Sequence, residues 1–388
     1  MNRLKILASH PVQYHVPFFR ELVNDGMDIE VGYYHEGTAA RVRRDPDFGI
    51  DIQWDIDLLS GYSYRIFLKG IANYHWPEQF QIAVKLLPWA MQDRKVPLLL
   101  VGWFAELVWL IWLLRILGQG PIIVMSETTP LSFSMTPKPG WRVFLLRQLL
   151  QNSTANLFIG SRNHEFLRDM DVMEAKLFHM PYSVDNSRFA AEVIRLLPNR
   201  IQLCQQFGLD PDKPVFLFCG KLISKKRPLQ LLEAYLQAGL AQQAQLLYIG
   251  EGELRPDLEK RIQHQNLEHV HLLGFLNQSQ MPMAYVLGEL LCLISDTSET
   301  WGLVVNEAMA SGRPVIVSET VGCAADLVTE ETGWRVPQDD LPALVRQMRF
   351  AYDHRHFWRR MGDSARQKIA GHTFVCMADG LKSAVASI

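Results

Sequence analysis

Cysteine, net charge and uninterrupted hydrophobic length are what this chain has least of, and each shortage narrows what it can be. Its five cysteines (Cys204, Cys219, Cys292, Cys323 and Cys376) are odd in number, scattered and without a C-x-x-C pair. They fit reduced, mostly buried thiols of a cytosolic protein. A formal charge of −2 and a pI near 6.6 give no support to a nucleic-acid groove driven by long-range electrostatics. The N-terminus carries Arg3 and Lys5, but only Ile6-Leu7-Ala8 follow before Ser9 and His10, too short for a signal peptide, so the chain is expected to be cytoplasmic. The most lipid-like stretch, 97–117, carries Glu106 and Arg115 and divides into a strand (98–101) and a helix (105–117). After Gly118-Gln119-Gly120-Pro121 another strand (122–125) follows. We read it as a buried βαβ unit rather than a membrane span, with enough surplus tryptophan and leucine for peripheral contact with the inner face of a bilayer.

Glycine is missing where a doubly wound domain would use it first. Residues 4–8 read as a strand and 18–23 as a helix opened near Pro17, and the loop between is Ser9-His10-Pro11-Val12-Gln13-Tyr14-His15. Without glycine this loop cannot close on a pyrophosphate as G-x-G-x-x-G does, so a nucleotide is expected elsewhere. The polar tips of His10, Gln13 and Tyr14 suit sugar hydroxyls, with His10 the candidate catalytic residue of this half. Residues 28–34 read as the second strand, and 35–97 as a loop-rich region in which an acceptor pocket is easily built. Two D-x-D tripeptides fall there, Asp45-Pro46-Asp47 and Asp55-Ile56-Asp57. Neither follows an apolar strand, so both read as turn aspartates rather than metal ligands. The strand at 122–125 runs into Ser126-Glu127, and Glu127 joins Gln13 and Tyr14 as an acceptor-side candidate.

At 388 residues the chain is long enough for two cores. Its second half repeats one pattern, an apolar strand ending in a functional loop. The strand at 214–219 leads into Gly220-Lys221-Leu222-Ile223-Ser224-Lys225-Lys226-Arg227-Pro228 and a helix. A glycine at a strand end with several cations before a helix makes a diphosphate site, point charges from lysine adding to helix-start N–H groups. Strand 246–249 ends in Gly250-Glu251-Gly252, and strand 270–273 in Gly274-Phe275-Leu276. After the run 290–295, Glu299 precedes Trp301-Gly302-Leu303-Val304 at the start of a helix expected to stop at Gly312. Glu307 sits inside that helix among Val304, Val305, Ala308 and Met309, and a carboxylate in such company needs a partner.

The spacing of Glu299 and Glu307, with Trp301-Gly302-Leu303-Val304 between and Ala308-Met309-Ala310-Ser311-Gly312-Arg313-Pro314 after, resembles the signature of the retaining glycosyltransferases of family 4. The stretch Pro181-Tyr182-Ser183-Val184-Asp185-Asn186 resembles that family's exit from its first domain. The resemblance implies an α/β fold of two Rossmann-like domains facing across a cleft, the GT-B architecture. It would have an acceptor side at 1–185, a nucleotide-sugar side at 186–356, and C-terminal helices at 357–388 crossing back. It implies that Glu299 contacts the donor sugar and Glu307 the ribose, that Lys221 and Lys226 hold the diphosphate, and that main-chain groups near Phe275 and Leu276 hold the base. Gly220, Gly250, Gly252, Trp301, Gly302, Leu303 and Val304 would complete the donor site. The chain departs from the pattern twice: Ser126 and Glu127 stand where many relatives have a histidine, and Lys221 where arginine is commoner. The implied activity moves a sugar from a UDP- or GDP-sugar, without a metal, to a hydroxyl of a saccharide, lipid-linked or small-molecule acceptor, keeping the anomeric configuration. A nucleotide-sugar epimerase of the same fold and a non-catalytic sugar-binding protein are the alternatives.

Overall fold

The computed structural model describes residues 3–39, 42–45, 48–70, 72, 75–135 and 137–388. It divides into two compact units, one of residues 1–43, 52–182 and 372–388, the other of 44–51 and 183–371. The domain boundaries expected from the sequence are 185/186 and 356/357. The units part at 182/183 and 371/372, so the helix Trp358–Ile369 stays with the second unit and only the last helix, Phe374–Ala386, is counted with the first.

The first unit is built on β1 (Arg3–Ala8) and β2 (Asp28–His35); a two-residue pair, β3 (Arg43–Arg44) with β4 (Asp51–Ile52), follows. Then come β5 (Ser63–Leu68), β6 (Leu98–Val101), β7 (Ile122–Met125), β8 (Ala155–Phe158) and β9 (Leu177–His179). The sheet order is β5-β2-β1-β6-β7-β8-β9, all parallel, with Ile6 opposite Val31 on one side and Leu99 on the other. Strands covered on both faces must be apolar throughout, which is why LLLV and IIVM read as continuous runs. The segment 97–117 is part of this core: Arg115, fully buried, spreads its guanidinium over the carbonyls of Ala90, Val96 and Pro121 at 2.5–3.3 Å, and burial pulls its pKa down to about 10. Among the described residues no helix is long and apolar enough to cross a membrane. The region expected to be loop-rich holds β5 and the helix Trp76–Met91. That strand is half exposed at a sheet edge and that helix contains Pro88, which hid both. The last helix packs on the helix Val16–Asn24 and on β8 and β9, with Lys382 Nζ donating to Asp25 at 2.8 Å.

The second unit carries β10 (Val215–Cys219), β11 (Gln245–Ile249), β12 (Val270–Gly274), β13 (Leu290–Leu293), β14 (Val315–Ser318) and β15 (Gly333–Val336). Their order is β12-β11-β10-β13-β14-β15, again all parallel, with Leu217 opposite both Leu247 and Leu291. The single helix expected over 186–207 is three pieces, Asn186–Leu196, Leu197–Asn199 and Arg200–Gln206, because Pro198 cannot donate within a continuous helix. Both sheets are therefore doubly wound, with the reversal of strand order between β1 and β6 in the first and between β10 and β13 in the second. The chemistry gathers at the carboxyl ends of those strand pairs.

Candidate active site

In the second unit the loops after β10 and β13 open on the crevice where the winding reverses, and they are tied together there. Asp296 N donates to the Lys225 carbonyl at 2.9 Å, and Lys225 Nζ donates to the Ser298 carbonyl at 3.0 Å. Lys226 pairs closely with the Glu299 carboxylate, and Lys225 lies 3.9 Å from it. The Glu299 side chain is only 12% exposed. Burial works to raise its pKa, but the two lysines outweigh burial and hold the carboxyl below the ordinary value. Glu299 is thus an ionised group neutralised by two cations.

The loops after β10, β11 and β12 knit into one floor: Gly220 N donates to Ile249 O at 2.9 Å, Leu222 N to Glu251 O at 2.7 Å, and Gly250 N to Gly274 O at 2.8 Å. Gly250 has φ +137°, and a Cβ there would stand 1.9 Å from the Gly220 carbonyl, so only glycine lets these loops approach. Gly252 closes the same floor, its carbonyl accepting from Arg255 N at 3.1 Å.

The helix after β13 is Leu303–Ala310, shorter at both ends than the sequence suggests, because Gly302 adopts a left-handed conformation (φ +95°) at its start. The first N–H groups of that helix, from Leu303 and Val304 on, have no partner within it, and the dipole favours an anion in front of them. The Trp301 indole is 3% exposed and donates to Asn306 Oδ1 at 2.9 Å, which makes the side chain a brace for the loop and leaves its main chain as the candidate. Glu307 has the partner its surroundings demand, the buried Tyr285 hydroxyl, which donates to Oε2 at 2.7 Å. Burial still lifts its carboxyl to about 7, against the opposing pull of Tyr285 and Arg188.

Two further donor-side candidates are covered by the excursion 44–51, which is counted with this unit. Lys221 Nζ lies 3.6 Å from the Asp45 carboxylate and 4.9 Å from the Phe48 ring centre, and Phe48 meets Phe275 edge-on at 5.2 Å. Leu276, beside Phe275, is half-buried. Of the D-x-D aspartates, Asp57 accepts from Leu59 N at 2.9 Å as a turn aspartate does, while Pro46 and Asp47 lie outside the described residues.

In the first unit a cavity of roughly 460 Å3 opens at the ends of β1, β6 and β7, against that sheet's own reversal point. His10, Tyr14 and Glu127 line it together with His15, Trp103 and Phe104; Gln13, half-buried, does not. Glu127 Oε1 accepts from the Tyr182 hydroxyl at 2.6 Å, and the same hydroxyl is 3.4 Å from His15 Nε2. Tyr14 meets the Tyr182 ring edge-on at 5.6 Å. His10 stacks on His35 with ring centres 5.0 Å apart and has Nδ1 3.0 Å from Ser9 Oγ. Burial first, and the nearness of His10 second, pull His15 down to about 3 and His35 to about 4, so both imidazoles are neutral at physiological pH. Lys225, Tyr285, Tyr182, Trp103 and Phe104 stand beside the candidate residues without having been singled out for a site. Lys225 stood in the basic loop already singled out; the others come from helices and loops distant in sequence, and no spacing announced them.

Residues 199–368 match the family model described as glycosyl transferases group 1. It is similar to the alpha-D-kanosaminyltransferase of Streptomyces kanamyceticus, 26% identical over 257 residues that make up 65% of this chain and 62% of that protein. It is also similar to the sulfoquinovosyl transferase SQD2 of Arabidopsis thaliana, 29% identical over 163 residues, 41% of this chain and 30% of that protein. These matches span less than two thirds of the length of the two relatives. In fold the chain is similar to the sucrose-phosphate synthase from Thermosynechococcus elongatus (TM-score 0.73, 17% identity, covering 100% of this chain and 98% of that one). It is likewise similar to Anabaena HepE in complex with UDP (TM-score 0.75, 14% identity, 100% of both chains). At such identities the likeness is one of fold, two Rossmann-like halves of the GT-B architecture.

Proposed function

We propose that this chain is a glycosyltransferase that binds a UDP- or GDP-sugar on its second unit and transfers the sugar, with anomeric configuration kept, to a hydroxyl of a saccharide or lipid-linked acceptor. The observation that carries this reading is the pairing of Glu299 with Lys226 and Lys225 across the two loops at the reversal of the second sheet. A donor diphosphate seated there would draw the lysines toward its own charge, with Lys221 and the start of the helix Leu303–Ala310 adding to them in place of a metal. Glu299, released in part from its lysines, would orient the sugar and support positive charge developing on its ring. Held by two ammonium groups it is a weak nucleophile, which suits orientation better than covalent attack. In the reaction the bond from the anomeric carbon to the diphosphate oxygen breaks, a bond to the acceptor oxygen forms, and the acceptor's hydroxyl proton leaves with the diphosphate. Glu307 is proposed to hold the ribose hydroxyls, and the cavity of the first unit the acceptor. Trp141 and Phe144, 63% and 64% exposed on the helix Gly140–Asn152 beside Lys138 and Arg142, support peripheral contact with a membrane bearing such an acceptor.

Hydrogen exchange with UDP and with GDP tests the placement. Protection is expected around Lys226, Gly250 and Trp301, and protection centred on residues 9–14 would overturn it. Chelator added to a transfer assay should leave the rate nearly unchanged; a loss above about tenfold, roughly 1.4 kcal/mol of barrier, would overturn the metal-free reading.

A further inference from the structure

We propose that a cavity of the second unit, at the amino ends of β10, β13 and β14, binds the phosphate group of a small phosphorylated molecule through Arg313, Arg355 and Arg359. It lies at the opposite end of the sheet from the donor crevice, about 16 Å away by the length of the five-residue β10. The inference therefore does not depend on the proposed function.

Local structure brings the residues together. Pro214, Glu289 and Arg313 each stand one or two positions before a strand, so three parallel strands deliver them to one rim. The helix Trp358–Ile369 and the turn before it supply Arg355, Arg359, Asp363 and Arg366, whose spacings of four, four and three put them on one side. Glycines seat that helix close to the rim. A Cβ on Gly362 would stand 2.0 Å from the Gly312 carbonyl oxygen, and one on Gly312 would stand 2.4 Å from the Arg366 guanidinium carbon. The space left open is roughly 630 Å3, more than a bare phosphate needs and within the range of small-molecule sites. Leu197, Pro211 and Pro214 offer an apolar wall to the rest of the molecule.

Five cations and three carboxylates line the cavity, and most are already paired. Glu289 accepts from Val215 N at 3.1 Å and pairs with Arg200 at 3.2 Å, and Arg200 also donates to the carbonyls of Val286 and Pro211. Asp363 pairs with Arg366 at 3.2 Å, and Arg366 donates to Ser311 O at 3.3 Å. Lys213 Nζ lies 2.5 Å from His269 Nε2 and 4.0 Å from the Asp210 carboxylate. What remains is Arg313, Arg355 and Arg359 against Asp212, an excess of two positive charges. Arg313 is half-buried, and its Nε donates to the Tyr285 carbonyl, which fixes the plane of the guanidinium. Its two terminal nitrogens have no acceptor among the described residues. Burial, opposed by Glu289 and aided by Arg200 and Arg366, pulls its pKa down to about 10. Arg359 has no hydrogen bond or ion pair among the described residues, and Arg355 donates only to the Tyr352 carbonyl, at 3.1 Å, with its guanidinium over the Tyr352 ring. A fixed guanidinium with an open fork matches paired phosphate oxygens, and two more guanidiniums arriving from the helix side can meet the remaining oxygen of a tetrahedral dianion. A planar carboxylate fills one such fork and leaves the others unused.

The test uses the full chain at about 0.15 M salt, where exposed charges are screened, with ribose 5-phosphate, ribose and citrate as probes. Ligand-observed NMR gives the affinities and hydrogen exchange the location. Ribose 5-phosphate is expected to bind with a Kd below about 1 mM and to protect residues 311–314 and 355–366, ribose to do neither, and citrate to bind at least about tenfold more weakly. Arg359→Glu should weaken ribose 5-phosphate at least about tenfold, and Arg313→Lys, which keeps the charge and loses the fork, by about three- to tenfold. Circular dichroism shows that each variant is folded. The proposal is overturned if ribose 5-phosphate protects nothing at about 20 mM or protects only the donor-side loops, if citrate binds as well, or if both variants bind like the parent. UDP, followed in the same samples, should keep its affinity in both variants; a parallel loss would make the two sites one and overturn the proposal too. Failure of UDP to bind the parent would count against the proposed function alone.

Discussion

The two halves of this molecule have the same winding and opposite chemistry at the point where the winding reverses. In the second half the crevice is framed by glycines, three lysines and two glutamates, and the polar groups are paired in ways that a charged ligand would rearrange. In the first half the corresponding space is walled by aromatic rings, the imidazoles of His10 and His15 and one carboxylate held by a tyrosine. The sheets differ little, so the difference comes from loop composition alone. A doubly wound sheet guarantees a place for a ligand without choosing the ligand.

The largest expected break in this comparison is on the second-half side. Glu299→Gln removes the charge that balances Lys225 and Lys226, and we expect a loss in kcat of about 100-fold or more, the scale for one preorganised electrostatic group, with donor affinity changed much less. Transfer assays at saturating donor measure this. A variant that turns over like the parent would remove Glu299 from the chemistry.

Glu307 gives the next effect, and it is one of pH. Its folded-state pKa of about 7 means the carboxylate is roughly one-tenth ionised at pH 6 and nine-tenths at pH 8. If the ionised form receives the ribose hydroxyls, donor affinity should tighten by up to about tenfold across that range, and Glu307→Gln should flatten the profile. Folding runs the other way. A carboxyl whose folded pKa is raised favours the folded state most below its ordinary value, 4.5, and that contribution is lost as pH rises through 7, so Glu307→Gln should lessen the fall in stability over that window. Calorimetric titration with UDP or GDP and thermal melts at matched pH values check both. A donor affinity independent of pH in the parent would take Glu307 out of the donor site.

The smallest expected effect sharpens the comparison from the first half. Tyr182 acts through Glu127, as a positioning residue, so Tyr182→Phe should raise the acceptor KM by about three- to tenfold through loss of one hydrogen bond to a charged group. Donor KM should stay where it is. A shift in donor KM of the same size would mean that the substitution disturbs the fold generally.

The second half was legible because its functional groups are close together in sequence. Gly220, Lys221 and Lys226 fall within one loop, Glu299 to Glu307 within another, and each loop follows a buried parallel strand whose apolar run is hard to mistake. The reading faltered where one residue's conformation decides the outcome. Gly302, in a left-handed conformation, moves the helix start to Leu303. The first half was legible only in outline. Its cavity takes residues from 8–15, 101–104 and 125–128, with Tyr182 behind, and nothing in the spacing of these segments shows that they meet. Gln13 looked as suitable as Tyr14 and does not line the cavity.

What the sequence by itself determined is therefore the doubly wound class, the placement of glycine, lysine and glutamate at the strand ends of the second half, and the absence of a glycine-rich phosphate loop after β1. These follow from local rules: apolar runs of strand length, helix boundaries, and residue types whose chemistry is the same wherever they stand. Tertiary structure alone decided that Glu299 is tied to two lysines, that Glu307 leans on Tyr285 and holds its proton to about pH 7, and that Glu127 accepts a hydrogen bond from Tyr182 beside a cavity lined, among the described residues, by no lysine or arginine. Each of these is a matter of distance and burial between residues far apart in the chain. Electrostatic interactions depend on both, and neither is written in sequence spacing.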